Sequence, residues 1–470
     1  MKKTGIFSFI LALCLAVSVC VMPAYAEPVS LDPSVEYGCS TVDAKVPFLG
    51  STEKMESVGS AILYEANSGT LMYAWNPDEP MYPASLVKIM TAMIVLREGT
   101  LTDIVTVTKE VLDSVPQNAV SAKLYTDEVI TVKDLLYCMM VGSANDAAAV
   151  LADHISGSQS AFVAKMNQYA KDLGCTATEF TDVHGLDGKQ KTTARDMARI
   201  LSEALKDPQF QEVFGTVYYS TAPTNKMSER SLASGNYLLN DDDVKIYHDS
   251  RVTGSRTGTQ DNGNRCIAST AAANGMQMVC IVLGAKNVYA DNGSTRVFGG
   301  YNETSHLLDI GFDGFQCVQL LYENQALLQT QVDNGDAYLV LGPDTNVSCV
   351  LPQGVTQDKL TYKYGNTSTI ALPVKQGDQI TDVQVWYGNI CVAQAELYAL
   401  NKVQSSQAAN QNIDGTDGGS GWFVTALKVI GIIALVVLAI ILGLRVYNKA
   451  RYAAAQNRSR RRRRNRRRSR

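Results

Sequence analysis

Three short clusters of chemistry-bearing residues follow one another along the chain: Ser85-Leu86-Val87-Lys88, Ser143-Ala144-Asn145 and Arg256-Thr257-Gly258. Residues three apart on a helix share a face, so Ser85 and Lys88 set a hydroxyl beside an amine that can take its proton. The second cluster supplies another hydroxyl and a carboxamide. The third supplies a cation, a hydroxyl and a glycine that lets a substrate backbone approach closely. Together they read as an acyl-transfer site.

Local patterns show which elements must hold these groups. The segment Ser60 to Trp75 alternates and turns at Asn67-Ser68-Gly69, a β-hairpin signature. Pro83 precedes Ser85, and Leu86 to Leu96 has helical spacing, so the spacing predicts Ser85 at a helix start, where backbone donors are unpaired. Thr131 to about Leu205 is mostly helical, with Leu135, Leu136, Met139 and Met140 leading into the Ser143 loop. Arg251 to Thr259, Cys266 to Ala271 and Met276 to Gly284, turning at Asn274-Gly275, read as adjacent antiparallel strands that carry the third cluster. The fold class expected is α+β, with helices covering a mostly antiparallel sheet. From about Phe315 to Tyr398 short strands alternate with Gly, Asp and Pro turns, as at Ala337 to Leu341 and Gln384 to Trp386. This predicts a small all-β domain, which has no catalytic constellation and suits a spacer or interaction module.

Both ends carry membrane signals. Lys2 and Lys3 precede an apolar run to Val21, and Ala24-Tyr25-Ala26 fits signal-peptidase cleavage before Glu27. Trp422 to Leu444 is 23 residues interrupted only by Lys428, enough to span a hydrocarbon core of about 30 Å as a helix. The tail from Arg445 carries 12 Arg and one Lys and no acidic residue, which predicts a cytoplasmic tail and a folded part outside the cell. The organisation expected is a signal peptide over 1–26, an N-terminal extension over 27–56 and a catalytic domain over 57–315. A small β domain over 316–400, a flexible linker over 401–421, a transmembrane helix over 422–444 and a basic tail over 445–470 follow.

Composition excludes other classes. Of 470 residues 46% are apolar, room for roughly two to four globular domains. All 46 acidic residues lie between the two membrane signals, so the net charge of -4 hides a strongly acidic outer part, and no nucleic-acid partner is expected. Eight cysteines follow the cleavage site without CxxC spacing, and four histidines are dispersed, so no metal site is indicated. Cys138 and Cys280 sit in apolar runs as ordinary buried thiols; the sequence assigns no disulfide pairs.

With these residues in view, Tyr82-Pro83-Ala84-Ser85-Leu86-Val87-Lys88-Ile89-Met90-Thr91 resembles the active-site helix of low-mass penicillin-binding proteins, the serine D-alanyl-D-alanine carboxypeptidases of peptidase family S11. Ser143-Ala144-Asn145-Asp146-Ala147-Ala148 resembles their second motif; His184-Gly185-Leu186-Asp187 and Thr193-Ala194-Arg195-Asp196 resemble the loop and helix that follow. The resemblance implies a β-lactamase/transpeptidase-like catalytic domain that trims the terminal D-alanine from peptidoglycan stem peptides, is acylated by β-lactams and needs no cofactor. It implies Ser85 as nucleophile, Lys88 as base and Ser143 as proton relay. Asn145, Arg256, Thr257, Gly258 and Thr259 bind substrate on the same grounds, with the N–H groups of Ser85 and Thr259 as oxyanion hole. His184 and Asp187 are expected to fix their loop; Asp207 and Arg296 fall near positions where the family often carries a loop-closing acid and a second carboxylate-binding cation. The departure is Arg256, where the family usually has Lys: charge is kept, proton shuttling is not. Rival readings are a β-lactamase, which must deacylate quickly, and a non-catalytic peptidoglycan sensor.

Overall fold

The computed structural model of the chain describes residues 37–39, 54–242, 244–289 and 296–406. The signal peptide, the transmembrane helix, the basic tail and most of the linker expected above lie outside them. Among the described residues no helix is long and apolar enough to cross a membrane.

Five antiparallel strands form the central sheet. β1 (Ser60–Glu65) and β2 (Leu71–Trp75) make the expected hairpin, closed by Gly69 at φ +70 and by Glu65, which accepts from Ser68 N at 2.6 Å. β3 (Val252–Thr259), β4 (Arg265–Ala273) and β5 (Met276–Ala285) complete it in the order β2-β1-β5-β4-β3, leaving β3 at an edge. Asn274 and Gly275 take the left-handed conformation at the β4–β5 turn, as a tight right-twisted hairpin requires. Every residue of β1 is buried because both sheet faces are covered. Leu63 packs towards Gly311 of α7 (Gly299–Gly314), while Tyr64 donates to Ala198 O of α5 (Ala194–Ala204) on the other face.

The helical layer surrounds α1 (Val87–Glu98), in which Val87 to Val95 are all buried, apolar except for Lys88 and Thr91. Thr131 caps α2 (Val132–Met140) by accepting from Asp134 N, and Thr193 caps α5 by accepting from Asp196 N, each offsetting an orphan donor. α3 (Asn145–Ser156) stops at Gly157, φ +73, and is followed by α4 (Gln159–Asp172). α6 (Pro208–Gly215) starts with Pro at its first position, where a missing N–H costs nothing.

At Phe315 the chain turns to strands alone. β6 (Phe315–Leu321) pairs with β9 (Val347–Pro352). The other strands, β7 (Leu328–Gln331), β8 (Tyr338–Gly342), β10 (Leu360–Tyr364), β11 (Gln379–Tyr387) and β12 (Ile390–Ala399), form a sheet ordered β7-β8-β12-β11-β10. The N-terminal extension, unpatterned in sequence, adds a short strand, Tyr37–Cys39, parallel to β12. Cys391 is disulfide-bonded; Cys138, Cys266, Cys280, Cys317 and Cys349 are free thiols. A second compact unit, 332–337 with the residues after Lys402, is described only as far as Ser406, where a bridge links Gly335 to Ser405.

One buried ion pair organises the segment that will face the site. The Glu128 carboxylate, with no exposure, takes both Arg230 terminal nitrogens at 2.7 Å, and also Thr224 Oγ1 and Tyr125 N. Arg230 Nε and Nη2 also donate to the carbonyls of Ala122 and Lys123. Every charged atom is thus satisfied, and breaking such a pair strands a charge. Glu128→Ala should lower unfolding free energy by about 3–5 kcal/mol, read from the denaturant midpoint at unchanged slope.

Candidate active site

Ser85 sits in a short 3-10 turn, Ala84–Leu86, that leads into α1. Ala84 is held at φ +50, an uncommon conformation for a residue with a Cβ. Two glycines explain how the turn is held. A Cβ on Gly185 would lie 2.0 Å from Ala84 O, and one on Gly258 would lie 2.9 Å from both Ala84 Cβ and Ser85 N. The nucleophile turn is therefore clamped between a loop and strand β3, closer than any other residue would allow.

Lys88 is completely buried one turn along. Its Nζ donates to Ser85 Oγ at 3.1 Å, Asn145 Oδ1 at 2.8 Å and the His184 carbonyl at 2.5 Å. Burial, then the nearby Arg256 charge, hold its amine well below the ordinary lysine range, partly opposed by Asp182. A buried lysine in this state can be neutral at working pH and accept a proton from the hydroxyl it contacts.

Asn145 opens α3, and its amide orientation is fixed from outside. Its backbone N and Nδ2 both donate to Val120 O at 2.8 Å, which turns Oδ1 towards Lys88. Asp146 holds the Val120 segment by accepting from Ser121 Oγ, Ala122 N and Leu124 N. Ser143, just before the helix at φ +58, does not bond Ser85 or Lys88 in the described contacts; its Oγ accepts from Arg256 Nη2 at 2.7 Å. That leaves the Ser143 proton free to be donated. Arg256 Nη1 donates to Met140 O, and its buried Nε has no partner. Burial lowers the guanidinium to about 10, so it stays charged at neutral pH. Thr257 is half-buried and Thr259 exposed on the open edge of β3, beside buried Gly258.

The structure thus brings Ser85, Lys88, Asn145, Ser143, Arg256 and Gly258 together, with Thr257 and Thr259 on the adjoining edge. Other expected residues stand elsewhere in role. Asp187 accepts from Thr181 Oγ1 and Lys189 N within its loop. Asp207 caps α6 through Gln209 N and makes no described contact with the site, so its place as a loop-closing acid is corrected. Arg296 begins a two-residue strand paired to Val288–Tyr289. Sequence reasoning missed Asp182, Val120 and Tyr82. Tyr82 donates to Gly185 O at 2.6 Å, and burial, with nearby carboxylates, pushes its phenol up to about 12, so it remains a donor. An Asp two residues before His184-Gly185 was the available signal, since Asx side chains gather the N–H groups that follow them. Among the described residues no cluster of three or more His, Cys, Asp or Glu could hold a metal.

The charge of Arg256 disfavours an ammonium at Lys88. Arg256→Gln keeps an amide donor for Ser143 but removes that charge, so the acid limb of the acylation-rate profile should move to higher pH. Stopped-flow acylation by a fluorescent penicillin across pH checks the sign; a limb that stays put or moves down contradicts it.

The D-alanyl-D-alanine carboxypeptidase family profile, Peptidase S11, matches residues 50–287, and that of the penicillin-binding protein 5 C-terminal domain matches 315–405. The Haemophilus influenzae D-alanyl-D-alanine carboxypeptidase DacA is 30% identical over 386 residues, covering 79% of this chain and 92% of the relative. Bacillus subtilis DacF, of the same description, is 27% identical over 70% of this chain and 82% of its own length. The crystal structure of penicillin-binding protein 5 from H. influenzae superposes with a TM-score of 0.61 at 28% identity, covering 76% of this chain and all of that one. Penicillin-binding protein 6B from Escherichia coli gives 0.55 at 25% identity over 76% of this chain and 99% of its own. With its clamped serine, its buried lysine and a carboxy-terminal all-β domain of matching kind, the chain belongs to the peptidase S11 family of D-alanyl-D-alanine carboxypeptidases.

Proposed function

We propose that this chain is a serine D-alanyl-D-alanine carboxypeptidase that removes the terminal D-alanine of peptidoglycan stem peptides and is acylated by β-lactams. The observation that carries the reading is the contact of Ser85 Oγ with a completely buried Lys88 amine whose proton affinity is depressed by its surroundings.

Ser85 Oγ attacks the carbonyl carbon of the penultimate D-alanine while its proton passes to Lys88. The oxyanion that forms is met by the N–H groups of Ser85 and Thr259, each such donor being worth about 3–4 kcal/mol in the transition state. The peptide C–N bond then breaks. The leaving amine takes a proton from the Ser143 hydroxyl, and the Lys88 ammonium makes good that proton once substrate brings the two groups together, a contact absent from the free site. Arg256 and Thr257 hold the substrate's terminal carboxylate, and Asn145 lines the peptide on the opposite wall. Water attacks the resulting ester with Lys88 as base, releasing the shortened peptide and restoring Ser85. Arg256 already spends two donors on Ser143 and Met140, so its charge, not a proton, is what it offers the carboxylate.

Export through the N-terminal signal peptide and anchoring by the 422–444 helix, with the basic tail in the cytoplasm, complete the proposal; the apolar runs and the flanking Arg residues support it. The all-β domain then acts as a spacer holding the site off the membrane.

D-alanine release from diacetyl-Lys-D-Ala-D-Ala by the whole chain tests the reading. Ser85→Ala should remove release entirely, a loss of at least about 10³-fold on the precedent of nucleophile deletions, and should form no penicillin adduct. Release that persists in Ser85→Ala would sink the assignment.

A further inference from the structure

The carboxylate that lies behind Lys88 belongs to no motif singled out in the sequence. Asp182 is mostly buried, and its two oxygens gather the backbone N–H groups of the next turn. Oδ1 accepts from His184 N at 3.0 Å, Gly185 N at 2.6 Å and Gln190 Nε2 at 2.8 Å. Oδ2 accepts from Leu186 N at 2.8 Å and Asp187 N at 2.7 Å, and lies 3.1 Å from the His184 ring Nδ1.

This one side chain shapes a loop that touches the catalytic turn in four places. The His184 carbonyl receives Lys88 Nζ, the Val183 carbonyl receives Thr91 Oγ1, the Gly185 carbonyl receives Tyr82 Oη, and the Gly185 backbone packs on Ala84 and Ser85. We infer that Asp182 is a positioning residue for Lys88: its carboxylate fixes the carbonyl that aims the amine at Ser85, and its negative charge balances Arg256 across the amine. The inference rests on the roles of Ser85 and Lys88 proposed above.

The charged and titratable groups around Lys88 are few. Arg256 faces it from β3, Asp182 and the His184 ring stand behind the loop, Ser85 shares its own turn, and α3 contributes only neutral Asn145. Burial raises the Asp182 carboxyl, but the His184 ring and the N–H groups of Gly185 and Asp187 outweigh it and hold the group well below the usual carboxylate range, so it is ionised wherever the enzyme works. Its charge favours the ammonium form of Lys88, opposite in sign to Arg256.

Asp182→Asn removes the charge and replaces one acceptor oxygen by a donor that opposes Leu186 N and Asp187 N. The test follows acylation by a fluorescent penicillin in the full chain as a function of pH, expressed per folded molecule from melting curves. Acylation should slow at least tenfold, and its acid limb should move to lower pH. Tyr82→Phe frees the same loop at Gly185 without altering charge, and should slow acylation with the limb unmoved. Asp182→Ser, whose hydroxyl can still cap the turn, should displace the limb as Asn does and serves if the Asn variant does not fold. An acid limb that stays in place or rises in the Asp182 variants, or moves equally in Tyr82→Phe, overturns the inference. A wild-type chain that takes no penicillin overturns the nucleophile assignment, and this inference with it.

Discussion

A lysine amine that must be buried and yet unprotonated is the constraint on which the rest of this structure depends. Taking an ammonium out of water is costly, and a protein answers by making the neutral form the stable one. Here Lys88 has no exposure and a buried guanidinium nearby, and these outweigh the three acceptors within its reach. Those acceptors come from its own turn, from α3 and from the 182–187 loop, so the amine cannot hold its aim unless three separate parts of the fold are in register.

The packing that keeps them in register is made of close backbone approaches. Gly185 and Gly258 press on Ala84 and Ser85 from two sides, and the turn between them accepts an unfavourable backbone angle at Ala84. Strain of about 1–3 kcal/mol at such a position persists only where the surroundings over-determine it. The Glu128–Arg230 pair and the Asp146 carboxylate do the same work for the Val120 segment, whose carbonyl orients Asn145. Ser143, also in a left-handed conformation, is presented to Arg256 on the edge strand. Catalytic geometry is thus distributed over a sheet edge, two helix starts and two loops.

How much of this could be read in advance depended on whether the signal was local. The β1–β2 hairpin, the start of α1 and the three strands around Arg256 are carried by residues within a few positions of one another, and they were legible in turn residues and periodicity. The motif residues were legible as chemistry and by resemblance, and they do converge. The pairing of Tyr37–Cys39 with β12 joins distant parts of the chain through backbone hydrogen bonds, which leave no period in sequence. Val120 contributes only a carbonyl, so its side chain says nothing about its role. Asp182 went unread because its importance lies in the N–H groups of the residues after it, and Asp207 attracted attention by position although its carboxylate merely caps α6.

The central claim, that the fold holds the Lys88 amine far below its ordinary proton affinity, is tested most directly by titrating that amine. Carbon-13 labelling of lysine Cε in the folded, uninhibited chain, with Lys88→Arg to assign the resonance, gives its midpoint by NMR. The account predicts a midpoint well below the ordinary 10.5, apart from the surface lysines. A Lys88 resonance that titrates with the exposed lysines would contradict it, because the amine would then be an ammonium at neutral pH and Ser85 would have no base.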